Sequence, residues 1–318
     1  MSFQLAHVNS LISYPVTVIS GSASLTEIWR EHWEELSALV LIGIGLVLIG
    51  TWLSKQRVIE ERLKIFRGRA SASKDWLGLV LRFGLGVYLL QSGLSDRWLL
   101  GWGEGGNASD LVAGIEIILG LGVLFGALLS PMLIGVVIFE LISMLLVPSQ
   151  FGQIESLGIA IALLLLRQNR PGIDDLFAIN WKFNWNLATL KSEFESWTAL
   201  ALRLGAGLSL LYMGLADKLL NLPMAMNVVV GSGLTRYPPY DAGIWIVGAG
   251  FLEVILGVLL IIGLKTRGTA TVGLLGLALG TIYFKEILSF HLPLAVALIG
   301  IIILGAGVKS LDQHYGKG

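Results

Sequence analysis

Cysteine is absent from the 318 residues. That removes dithiol relays, thiolate metal sites and cysteine-ligated iron–sulfur clusters. Histidine occurs only four times, and only His291 lies near an apolar run, so a bis-histidine haem is not encoded. Charge is scarce at 14% and balanced, with 22 basic and 22 acidic residues; nothing in it points to nucleic acid. No glycine-rich dinucleotide fingerprint, nucleotide-binding loop or histidine–acid cluster with metal spacing occurs. A redox cofactor would have to be a diffusible lipid quinone or sit on another subunit.

What the chain does contain is apolar surface and glycine: 55% hydrophobic residues and 40 glycines. Average glycine usage is about 7%, and the excess falls inside the apolar segments, where small residues let helices approach closely in lipid. The apolar runs are continuous rather than alternating, which excludes a transmembrane barrel. The expected fold class is an all-α polytopic membrane protein with about nine spans: 34–53, 76–95, 110–129, 131–148, 153–167, 197–216, 242–263, 268–290 and 291–307. The last two are separated by a break at His291 and Pro293. Asn9, Ser10, Tyr14 and Pro15 interrupt the first apolar stretch, and no basic residue precedes it. A surface or re-entrant segment is expected there rather than a cleaved signal peptide.

Orientation follows from the basic residues. Segments 54–75, 167–196, 264–268 and the carboxyl tail carry 15 of the 22, whereas the opposite face carries Arg30, Arg97, Lys218 and Arg236. The expectation is a cell (inner) membrane protein with its amino terminus outside and its carboxyl terminus cytoplasmic. Lys55–Phe66 reads as an amphipathic helix on the anionic leaflet. Trp181 and Trp185 read as interfacial anchors.

One sentence is written twice. The 24 residues from Trp76 and the 24 from Trp197 align without a gap at 12 identities, including Arg82/Arg203, Gly84/Gly205, Gly86/Gly207, Gly93/Gly214 and Asp96/Asp217. A second match sets Ile115-Glu116 against Leu252-Glu253. The expected organisation is an amino-terminal segment, leading helix and connector (1–75), a four-helix unit (76–176), a cytoplasmic linker (177–196) and a second four-helix unit (197–313). An even number of helices separates the copies, so the repeats run parallel about an axis along the membrane normal.

Each unit thus supplies an arginine from its first helix and a glutamate from its second. Intramembrane charge is costly and pairing offsets the cost, so Arg82–Glu116 and Arg203–Glu253 are expected to meet near the middle of the membrane. They serve either as structural ties or as an anion or polar head-group site, with Tyr88, Gln91 and Tyr212 nearby. Glu140 is a further buried acid that either hydrogen-bonds a neighbouring helix or relays protons, and Lys285 and Glu286 occupy the matching region of the second unit. Asp96-Arg97 and Asp217-Lys218 end the first helices at the outer surface, where the basic residue is expected to close the helix terminus or, alternatively, the pair forms the mouth of an outward-facing site. The 215–241 connection, with Pro223, Arg236, Pro238 and Pro239, is the longest external loop and a candidate lid.

The arginine and glycines of the first helix, G-L-x-D-[KR] at its end, the glutamate before glycines in the second helix, and the tail Gly305-Ala-Gly-Val-Lys-Ser-Leu-Asp312 together resemble DoxX-type membrane proteins. The second unit carries the likeness throughout. The first carries it in two helices and in a shorter tail, Arg170-Pro-Gly-Ile-Asp174. Relatives include the large subunit of a thiosulfate:quinone oxidoreductase, and others associate with redox partners. The resemblance therefore implies a quinone-linked redox component, with Arg82, Glu116, Arg203 and Glu253 as site candidates and Glu140 beside them for protons. The alternative is a non-catalytic scaffold or assembly subunit bound to other membrane or soluble redox subunits. A carrier for a small anion or lipid is a third reading.

Overall fold

The computed structural model describes residues 74–94, 107–166, 172–176, 191–232, 241–284 and 288–315, with isolated positions between 30 and 37. The leading span 34–53, Lys55–Phe66, Trp181–Trp185, Asp96-Arg97 and Lys285-Glu286 lie outside the described residues.

Every regular element among the described residues is helical. The first bundle consists of α1 (Lys74–Leu94), α2 (Asn107–Phe125), α3 (Leu129–Leu146), a 3-10 turn (Pro148–Gln153) and α4 (Ile154–Leu165), with a short α5 (Ile173–Leu176) after it. The second begins with α6 (Lys191–Tyr212), which continues as a π-helix (Met213–Leu219). Then come α7 (Leu222–Ser232), α8 (Ala242–Ile262), α9 (Thr266–Phe284), α10 (Leu288–Leu304) and α11 (Leu311–Tyr315). Segments 76–94, 129–146, 196–219 and 242–262 are each long and apolar enough to cross a membrane. With 150–165 and 290–304 as shorter apolar helices, this is an integral membrane protein.

Two expected boundaries move. His291 and Pro293 lie inside α10 rather than at a break before it. The 215–241 segment is not one open loop: the π-helix and α7 fill it as far as Ser232, and 233–240 is outside the described residues. In α7, Leu222 and Val229 bury against Ala242, Ile246 and Val247 of α8.

Glycines set the close crossings. A Cβ on Gly86 would lie 3.0 Å from the Gly120 carbonyl oxygen, and one on Gly207 would lie 2.9 Å from that of Gly257. One turn or two further along, Gly93 meets the Ala113 carbonyl and Gly214 the Gly250 carbonyl in the same way. So α1 lies on α2, and α6 on α8, with backbones nearly touching. The bundles then exchange partners. Gly205 of α6 packs on Gly158 of α4, and Gly84 of α1 packs on Val296 of α10. Each first helix is therefore wedged against the fourth helix of the other bundle. Leu81, Leu85, Ile159, Leu163, Leu202, Ala297 and Ile301, all without exposed surface, form one continuous core across that junction.

Candidate functional site

Both intramembrane arginines are buried, but neither lies where its expected glutamate is. Arg82 donates from Nε to the Val123 carbonyl (3.0 Å) and from Nη2 to the Leu124 carbonyl (3.1 Å). Arg203 donates from Nη2 to the carbonyls of Ile261 and Lys309 (3.3 Å each), and from Nη1 to those of Ala306 and Val308. Val123, Leu124 and Ile261 are open carbonyls at the C-terminal ends of α2 and α8, where the guanidinium supplies donors that the helix itself cannot; Ala306, Val308 and Lys309 lie in the turn after α10.

The turn beneath each arginine is the same. Gly126 and Gly263 adopt positive φ (65° and 70°), followed two residues later by Leu128 and Lys265 at φ 49° and 48°. A Cβ on Gly126 would fall 2.5 Å from Arg82 Nη2, and one on Gly263 would fall 2.6 Å from Arg203 Nη1. Leu128 and Lys265 carry side chains in a left-handed conformation that costs roughly 1–2 kcal/mol. An aspartate holds each in place. Asp174 accepts from the backbone N–H groups of Leu128 (2.7 Å) and Leu129 (2.9 Å). Asp312 accepts from Lys265 (2.7 Å), Thr266 (2.9 Å) and the Thr266 hydroxyl (2.8 Å). Each aspartate also donates its own N–H to the glycine carbonyl. Arginine, glycine and aspartate thus form a clasp that locks the chain after each second helix.

The expected Arg82–Glu116 and Arg203–Glu253 pairs are corrected by helix register. A Cβ on Gly93 would lie 3.2 Å from the Glu116 Cβ, so Glu116 stands beside Gly93. Arg82, eleven residues earlier on α1, is roughly 16 Å away along the helix. Glu253 forms its ion pair with Lys218 instead, Nζ to Oε2 at 2.7 Å. Lys218 therefore faces a carboxylate rather than only closing a helix terminus.

The polar residues at mid-depth make a second constellation. Glu116, Glu140 and Glu155 are buried, as is Tyr88. The three carboxylates are close enough for their charges to act on one another and on Tyr88. Each lies nine to eleven residues from the clasp end of its helix, roughly 15 Å in, about half of a 30 Å hydrocarbon layer. Ser156 donates to Glu140 Oε1 at 2.7 Å, while Glu140 Oε2 and Glu155 Oε2 are buried without a hydrogen-bond partner. Glu155 faces Ser209 of α6 and His291 of α10. Tyr88 packs edge-on against Phe290 at 6.4 Å between ring centroids. The cluster thus draws on α1, α2, α3, α4, α6 and α10, and sits where the bundles exchange partners.

Of the candidates read from sequence, the structure gathers Tyr88, Glu116 and Glu140. It sends Arg82 and Arg203 to the basic end and places Glu253 with Lys218. Tyr212 stacks obliquely on Phe151 of the 3-10 turn, 6.4 Å between centroids, and Gln91 lies partly buried on α1. Sequence reading missed Glu155, Ser156 and Ser209. An acid two residues into an apolar helix, preceded by Pro148, Gln150 and Gln153, was the available signal. The turns also fix the offset between the second and third helices of the bundles at 137 residues, so Leu277, not Lys285 or Glu286, stands opposite Glu140. Among the described residues no group of histidine and acidic side chains is arranged to hold a metal ion.

Residues 198–292 match the family model described as DoxX, and the chain is DoxX-like over that stretch. No curated protein and no solved structure matches it.

Proposed function

We propose that this DoxX-like membrane protein is a quinone-linked redox component in which the Glu140–Glu155 cluster moves protons to or from the quinone ring. The observation that carries the reading is the pair of buried carboxylate oxygens, Glu140 Oε2 and Glu155 Oε2, without a hydrogen-bond partner at mid-membrane. An unpartnered carboxylate is costly at that depth, and intramembrane acids retained despite the cost mark proton relays. Reducing a quinone takes two electrons and two protons. Electrons would come from a donor held by a partner redox subunit, thiosulfate in the enzyme that the family resemblance suggests, and protons from the acids. Tyr88 and Phe290 offer the aromatic wall such a ring would stack on.

The clasps take a different part. Carbonyls occupy Arg82 Nε and Nη2 and both terminal nitrogens of Arg203, which favours a structural role for the two arginines, although Arg203 Nε is buried without a hydrogen-bond partner. The matching clasps and reciprocal helix exchange support two parallel four-helix units derived by duplication. The basic ends of both units would face the cytoplasm.

A direct test is quinone binding by the purified protein in lipid nanodiscs, followed through quenching of its tryptophan fluorescence by a short-chain ubiquinone analogue. Saturable binding that Glu140→Gln or Glu155→Gln weakens tenfold or more is expected. No saturable binding would sink the reading. The scaffold alternative rests on α9, where Gly276 and Gly280 open onto nothing within 4 Å and Leu279 and Ile282 are exposed. It predicts stable co-migration with other subunits in mild detergent and no quinone dependence.

A further inference from the structure

The carboxylate cluster needs a connection to water, and the π-helix after α6 supplies a candidate. A π-helix adds a residue to the turn and re-aims the side chains that follow it. Here Asp217 points toward the 3-10 turn that precedes α4: its Oδ2 lies 4.0 Å from the position a Cβ would take on Gly152. The Gly152 carbonyl accepts a 2.7 Å hydrogen bond from the Ser209 hydroxyl, and Ser209 faces Glu155. Tyr212 borders the same gap, its ring 3.5 Å from that Gly152 position. On its other side Asp217 is next to Lys218, whose pair with Glu253 is about a quarter exposed on each partner. Polar groups therefore run from a half-buried surface at the end opposite the clasps down to Glu155. There Glu155 Oε2, in a residue 3% exposed, is buried and unpartnered.

We propose that Asp217 is the port of the buried cluster, passing protons between water at the end opposite the clasps and Glu155 by way of Ser209. This rests on the reading of Glu140 and Glu155 as proton-handling groups. The proton leaves a hydronium ion outside, resides on the Asp217 carboxylate, and crosses to Glu155 along the serine hydroxyl and any water between them, since steps longer than about 3.5 Å need a bridging molecule. Lys218 and Glu253 flank Asp217 from π-helix and α8, Tyr212 from α6. Glu155 and His291 face the inner end from α4 and α10. Asp217 is a positioning and relay group here, not one that touches a substrate.

Infrared spectroscopy of the full-length protein in vesicles of synthetic phosphatidylcholine reads this without knowledge of a substrate. The carbonyl stretch of protonated carboxyl groups, assigned by its loss in Glu140→Gln and Glu155→Gln, is followed after transfer to heavy water. Asp217→Asn and the smaller Asp217→Ser are expected to slow its hydrogen–deuterium exchange at least tenfold without moving its frequency, and Asp217→Glu is expected to restore the rate. Wild-type exchange in a folded Asp217→Asn or Asp217→Ser protein would overturn the port and leave the cluster standing. If neither glutamine variant removes a band, the proton-handling reading fails and the port fails with it.

Discussion

At the end of the molecule that carries the clasps, the two bundles share one arrangement of arginine, glycine and aspartate; at mid-depth they part. Arg82 and Arg203 hold corresponding carbonyls, Leu128 and Lys265 share an unusual backbone, and Asp174 and Asp312 anchor it. Halfway across, the positions of Tyr88, Glu140, Glu155 and Ser156 in the first bundle are taken in the second by Ser209, Leu277, Pro293 and Leu294. Shared features are those that close a helix pair on itself. Features present once are polar, buried and expensive. The clasp closes both helix pairs, whereas Glu140 and Glu155 have no acidic counterpart in the second bundle.

The sharpest way to break that division is to remove an arginine. Arg203→Ala strands at least four carbonyls that now accept from one guanidinium. A stranded buried acceptor costs about 1–3 kcal/mol, so a loss of roughly 3 kcal/mol or more is expected, seen as a large fall in the thermal midpoint in detergent. Arg82→Ala should behave alike. A variant that melts like the wild type but no longer binds the quinone analogue would reverse the roles assigned to the two regions.

Next in size are the clasp glycines. Gly126→Ala and Gly263→Ala place a methyl group against the guanidinium and force alanine into positive φ. The expected cost is about 1–3 kcal/mol. The two should match within error, because the two turns match. A large inequality would show that one clasp carries more of the fold.

How far sequence leads differs along the same line. Helices α1, α3, α6 and α8 were legible from their apolar length and glycines, and the doubled arginine correctly marked a built feature. Its partner was not legible. Counting from helix ends cannot give the register of two antiparallel helices, and Gly93 beside Glu116 is a fact of packing. The carbonyls that Arg82 uses leave no trace in side-chain identity. Glu155 stayed hidden because a single acid in an apolar run says nothing about which helix it will face, and α4 meets α6 only across the bundle junction.

Turning the first bundle into the second would test the mid-depth difference directly. Glu140→Leu copies Leu277 and removes a carboxylate oxygen that has no hydrogen-bond partner. Replacing a buried ionisable group by a packed apolar one is often neutral or stabilising, by about 1–4 kcal/mol. The expected gain here is at the low end, because Ser156 loses its acceptor while keeping the Gln153 carbonyl. So Glu140→Leu should raise the thermal midpoint while abolishing quinone binding, the opposite pairing to Arg203→Ala. A variant that is both less stable and still binds would place Glu140 among the structural residues.

The smallest effect belongs to Lys218. Its pair with Glu253 is short, 2.7 Å, but each partner keeps about a quarter of its side-chain surface, so screening holds its worth to roughly 1 kcal/mol or less. Lys218→Met should lower the midpoint by a few degrees, because Glu253 then stands without its cation. Lys218→Met combined with Glu253→Gln should recover most of the loss, since no carboxylate is left uncompensated. Additive losses in the double variant would mean that the two side chains act separately, through packing rather than charge. Recovery would instead make Glu253 a balanced charge, unlike Glu140 and Glu155 of the first bundle.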